Sequence, residues 1–149
     1  MIQWLEQEEG FCEGTFKSKF FRDDENGDEL SIGVQSPKLS ECAEKCVEAF
    51  NSLTASQISK ICEEIIRCAQ ECGGKEFESY GMDNALDILN HCWFTTLYVN
   101  MLSREDKIAY VVEGEGEWGH EIGFAVENDE VIYVGSNYFS CMKKGHVNC

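Results

Sequence analysis

Proline is nearly absent, with 1 in 149 residues, and no low-complexity run is present, so wholesale disorder does not fit the chain. Cations are scarce as well: 12 Lys and Arg face 28 Asp and Glu, giving a formal net charge of −16. Between Ile108 and Met142 there is no Lys or Arg, while Glu113, Glu115, Glu117, Glu121, Glu127, Asp129 and Glu130 all fall there. Phosphate recognition needs clustered cations, so this balance argues against nucleic acid and anionic membrane and favours basic partners. No stretch approaches the roughly 18 apolar residues of a membrane span. The start, Met1-Ile2-Gln3-Trp4-Leu5-Glu6, lacks both a basic n-region and an apolar h-region, so a cytoplasmic location is expected. Also missing are a Gly-x-Ser-x-Gly elbow, a phosphate-binding P-loop and an HExxH zinc helix.

Apolar residues are plentiful by contrast. They make up 43% of the chain, with 11% aromatic, enough for the core of one domain over 1–149, with 140–149 as a polar tail. The 9 cysteines are an odd number, and a reducing compartment keeps thiols free, so no disulfide framework is expected. Cys42/Cys46 and Cys68/Cys72 are each four apart and share a helix face if helical. Zinc sites favour tighter Cys-x-x-Cys knuckles, so these cysteines read first as small buried hydrophobes. Cys141 and Cys149, near the end, are expected to be exposed and oxidisable.

Thr15–Phe21 and Glu29–Val34 alternate in strand fashion, and Asn26-Gly27 between them is a strong turn signal, so a hairpin is expected. Pro37 breaks the second strand. Ser40 as N-cap and the stripe Ala43, Cys46, Val47, Phe50 predict an amphipathic helix. Thr54 with Gln57 forms a capping-box pattern opening a second helix, with Ile58, Ile61, Cys62, Ile65, Ala69 and Cys72 on its apolar face and Gly73-Gly74 as its stop. A loop over Lys75–Met82 precedes a short third helix capped by Asp83 or Asn84. Strands are predicted at Phe94–Leu102, Ile108–Glu113, Ile122–Val126 and Val131–Val134, the last two joined as a hairpin. The class is α+β: an antiparallel sheet with an N-terminal hairpin, two to three helices on one face, and C-terminal antiparallel strands.

Chemistry-bearing residues are few. His91 and Cys92 are adjacent and point apart on a helix, and His146 and Cys149 lie in the tail. His120, between Gly119 and Glu121 and near Trp118, is the candidate base or metal ligand, with Glu117 or Glu121 as partner; a structural histidine is the plainer alternative. Gly114, Gly116 and Gly119 match Gly-x-Gly-x-x-Gly, yet no helix follows and the interleaved carboxylates would repel a pyrophosphate. Asp23–Asp28 lacks the twelve-residue ligand spacing of a calcium loop. Trp118, Tyr133 and Tyr138 are candidate aromatic anchors beside the carboxylates.

Glu117-Trp118-Gly119-His120-Glu121-Ile122-Gly123-Phe124, followed by Asn128-Asp129-Glu130-Val131-Ile132-Tyr133-Val134-Gly135, resembles the C-terminal strands of small bacterial domains of unknown function of the toxin-immunity type. The order of an N-terminal hairpin and then two helices is similar too. In those domains the turn before the strand reads Glu-His-Gly; here it is Gly-His-Glu. The resemblance implies an immunity-type inhibitor that neutralises a cognate toxin domain, with no cofactor and no transferable catalytic residue.

The expected partner is therefore a basic, nuclease-like toxin domain. The expected partner-binding residues are Glu113, Glu115, Glu117, Trp118, His120, Glu121, Asp129 and Glu130, carboxylates for steering and Trp118 as anchor. The alternatives are a small hydrolase or metal-dependent enzyme centred on His120, and a stand-alone interaction domain.

Overall fold

Seven strands lie side by side in chain order in one sheet. The computed structural model describes residues 2–5, 11–35, 39–78, 82–100, 103 and 106–142. The strands are β1 (Gln3–Trp4), β2 (Cys12–Lys17), β3 (Glu29–Val34), β4 (Cys92–Val99), β5 (Ala109–Gly116), β6 (Glu121–Glu127) and β7 (Glu130–Gly135). Every neighbouring pair is antiparallel except β3 with β4, which are parallel. A parallel pair needs a long crossover, and here the helices supply it. The class is α+β, as the sequence predicts.

The N-terminal hairpin forms, but its first strand starts earlier than the predicted Thr15. Gly27 takes φ +64 in the turn, a conformation open to glycine. The Asp23 carboxylate accepts from both the backbone N and the Nδ2 of Asn26, so the acidic run here is a hydrogen-bonded turn. The strand β1, unforeseen in the sequence, adds to the outer edge of β2 through Gln3↔Thr15 and Trp4↔Gly14.

Helix α1 (Ser40–Asn51) buries Cys42, Ala43, Cys46, Val47 and Phe50, the predicted stripe. Leu39 takes the N-cap position and Ser40 is the first helical residue. Helix α2 (Ala55–Glu78) opens on the predicted capping box: Gln57 N donates to Thr54 Oγ1 at 3.1 Å and Thr54 N to Gln57 Oε1 at 2.8 Å. It does not stop at Gly73-Gly74. The helix runs on through both glycines to Glu78, and a glycine inside a helix only weakens it, by about 1 kcal/mol per residue. The third helix is one 3-10 segment, Ala85–Asn90, capped by Asn84, whose side chain accepts from Leu86 N at 3.0 Å.

The main core lies between the helices and one sheet face. Phe50 of α1 meets Phe16, Phe21, Tyr110 and Phe124 at ring separations of 5.8, 5.4, 6.1 and 6.4 Å. A smaller cluster occupies part of the opposite face, where a 3-10 turn, Tyr138–Met142, packs on Val111 and Ala125. Residues 140–142 thus belong to the packed domain and not to a tail. Cys141 is fully buried there, not exposed, and it is disulfide-bonded, against the expectation that the thiols are all free. His146 and Cys149 lie outside the described residues, as does the predicted strand end at Met101-Leu102. Among the described residues no helix is long and apolar enough to cross a membrane.

Candidate functional site

The glycine pattern of β5 makes room for aromatic rings. Gly114 and Gly116 face the main core: a Cβ on Gly114 would strike the Trp93 carbonyl and the Phe94 ring, and one on Gly116 would enter the Trp118 indole. Gly119, at φ +89, completes the turn into β6. On the opposite sheet face, a Cβ on Gly123 would lie 2.5 Å from the Tyr138 ring. The Gly-x-Gly-x-x-Gly spacing is therefore a strand and a turn shaped by packing.

The residues expected to bind a partner separate into distinct places. Glu113 is half-buried on the sheet face away from the helices, and its Oε2 accepts from Tyr98 Oη at 2.8 Å. Glu115 and Glu121 are exposed and paired in register on that same face. Glu117 lies in the β5–β6 turn, where its carboxylate meets His91 Nδ1 at 2.6 Å and its backbone N donates to His91 O at 2.8 Å. Trp118 is 5% exposed and belongs to the core, so it is not an exposed anchor. Tyr138 is likewise buried, and Tyr133 Oη accepts from Asn137 N at 2.9 Å. Asp129 and Glu130 sit at the far end of β6, in the β6–β7 turn. There Asp129 takes φ 63 and its carbonyl accepts from Gln57 Nε2.

His120 is exposed on the wall of a shallow depression of about 250 Å³, shared with Arg67, Cys72, Glu121 and Tyr133. Glu117, engaged by His91, is not available to orient it. Among the described residues no three of His, Cys, Asp and Glu converge as a metal-ligand set. The cysteines Cys12, Cys42, Cys46, Cys62 and Cys92 are free and buried. Burial pushes the Cys46 thiol up to about 11 and the Cys62 thiol up to about 12. Protonated thiols of this kind are poor nucleophiles and poor metal ligands.

What the geometry does assemble is one acidic sheet face with aromatic rings on it. Strand register aligns Glu13, Gly33, Tyr98, Val111 and Ala125 in one row across five strands. The next row holds Thr15, Ser31, Thr96, Glu113 and Gly123. The Tyr98 phenol is pushed up to about 12, chiefly by burial and then by the Glu113 carboxylate it bonds, with Glu13 adding to the effect. Phe139 lies edge-on to Tyr98 with ring centroids 5.3 Å apart. Glu13, Tyr98 and Phe139 carry no local motif; only the pairing of distant strands brings them together.

A family model described as a domain of unknown function (DUF6985) matches residues 1–140. The chain belongs to the DUF6985 family. The match spans every described element of the DUF6985 chain except the last residues of the 3-10 turn, so the sheet and both its faces lie within the family's domain. Neither a search of curated proteins nor one of solved structures finds a match.

Proposed function

We propose that the chain is a binding protein that captures a basic protein partner, acting as an immunity-type inhibitor of a cognate, nuclease-like toxin domain in the cytoplasm. The acidic sheet face carries this reading. Glu13, Glu113, Glu115 and Glu121 stand on it. Lys17 of the same face is engaged by Asp28 at 3.3 Å and Glu29 at 3.7 Å. With a net charge of −16 behind it, such a surface speeds encounter with a cationic cleft and repels polyanions. Binding of this kind needs no cofactor.

The test is co-expression with the product of the adjacent upstream gene. The expected result is a complex that co-purifies and rescues growth, with association slowed by Glu115→Lys combined with Glu121→Lys. No complex and no toxicity would remove the reading; so would association indifferent to the charge reversal.

A further inference from the structure

Few large apolar side chains are exposed among the described residues, and two of them, Phe11 at 39% and Phe139 at 45%, converge on the acidic face. They come from opposite ends of the described chain. Phe139 meets the Tyr98 ring, and Phe11 borders the same glycine as Tyr98. A Cβ on Gly33 would lie 3.0 Å from Tyr98 and 3.2 Å from Phe11, so Gly33 is the floor on which those two rings stand. Phe139 closes the other side of Tyr98 at 5.3 Å and is itself backed by Tyr138 at 4.8 Å. The row Phe11–Tyr98–Phe139 runs across β2, β3 and β4. Its rim is anionic: Glu113 accepts the Tyr98 hydroxyl, and Glu13 faces Gly33 in register.

The geometry points to this aromatic row as the docking surface for a protein segment that presents arginine beside an apolar side chain. Solvent leaves apolar rings exposed only at a cost, and an apolar patch with a charged rim is the usual form of an interface. The rim selects the sign of the partner. Arginine suits it best, because the planar guanidinium stacks on an aromatic face while its fork bonds a carboxylate. Glu113 and Tyr98 are preset for that role, since their mutual hydrogen bond fixes both side chains before a partner arrives. The surface deepens the inhibitor reading and rests on it for biological meaning. It names a different contact from the β6–β7 turn, where Asp129 and Glu130 lie.

The probe is an eleven-residue peptide of alternating Arg and Leu, titrated into the isotopically labelled full chain at physiological salt, with a Glu/Leu peptide as control. Saturable binding is expected, with amide shifts at Gly33, Tyr98, Glu113 and Phe139. Phe139→Ser should weaken binding about tenfold or more, as loss of a central aromatic contact does. Phe11→Ser, on a separate element, should do the same if the fold is kept by circular dichroism. Asp129→Lys with Glu130→Lys should change it less than about twofold, as expected of charges beyond the screening length. Shifts centred on the β6–β7 turn, equal binding of the Glu/Leu peptide, or indifference to both Phe substitutions would overturn the surface. A co-expressed complex that survives both Phe substitutions would sink this surface and leave the inhibitor reading standing. Peptide saturation at the row without any co-expressed complex would do the reverse.

Discussion

The Trp118 indole lies directly over the α-carbon of Gly116, in the space where any other residue would place its β-carbon. The tryptophan that follows the strand folds back onto it and seals the end of the core. Gly116→Ala should therefore destabilise the protein by about 1–3 kcal/mol through overpacking, in spite of alanine's better backbone entropy. Urea denaturation followed by tryptophan fluorescence measures this; a stability equal to or above the parent's would show that the indole yields freely.

Phe50 sits among four rings at the centre of the main core. Phe50→Ala should cost about 3–5 kcal/mol, from lost burial and the cavity left behind. Thermal unfolding by calorimetry would record it. A loss below about 1 kcal/mol would mean that the ring cluster collapses into the gap.

Tyr110 carries a fully buried hydroxyl with no hydrogen-bond partner among the described residues. A buried donor left unpaired destabilises, so Tyr110→Phe should raise stability by about 1 kcal/mol while keeping the edge contact with Phe50. A loss on substitution, read from the denaturant midpoint, would reveal a partner for that hydroxyl in solution.

Tyr98 and Cys46 predict the behaviour in alkali. Both have folded-state values above the ordinary ones, about 12 against 10.0 and about 11 against 9.0. Each therefore favours the fold fully below its unfolded value, and that contribution is lost as pH climbs to the folded value. Stability should fall between pH 9 and 12, and Tyr98→Phe should flatten the part between 10 and 12. Denaturant midpoints across that window decide the point; an unchanged slope in the variant would refute it.

Thiol chemistry should separate along α2. Cys72, expected on the apolar face, is exposed and free, whereas Cys62, earlier on the same helix, is buried and held protonated up to about 12. Iodoacetamide at neutral pH should label Cys72 in the native protein and reach Cys46 and Cys62 only after unfolding. Peptide mapping by mass spectrometry would show this, and native labelling of Cys62 would contradict the packing.

Local chemistry made much of this fold legible. Asn26-Gly27 and Asn128-Asp129 mark their turns because each places a residue at positive φ, and Thr54 with Gln57 caps α2 as their spacing requires. What stayed hidden depends on distance along the chain. Gln3-Trp4 is too short to show a strand pattern and becomes one only by pairing with β2. Gly73-Gly74 reads as a stop, yet α2 continues to Glu78, since composition does not reveal whether a glycine pair ends a helix or lies inside one. The acidic residues after Ile108 were visible as a group, yet alternation and turns disperse them. Glu113, Glu115 and Glu121 share a face, Glu117 turns to His91, and Asp129 lies at the far end of β6. The aromatic row is the extreme case, because Phe11, Tyr98 and Phe139 meet only through the registers of β2, β3 and β4.

The lone parallel seam between β3 and β4 has a kinetic meaning. On either side of it the sheet is made of contiguous chain, whose neighbouring strands are joined by connections far shorter than the crossover. The seam itself must wait until about 60 residues between Val34 and Cys92 have looped back, and such closures slow folding more than they weaken the product. The two halves are thus natural fragments. A chain severed between α1 and α2 would keep each half's turns intact, and reassembly of the pieces across Ser31↔Thr96 would restore the acidic face that spans the seam.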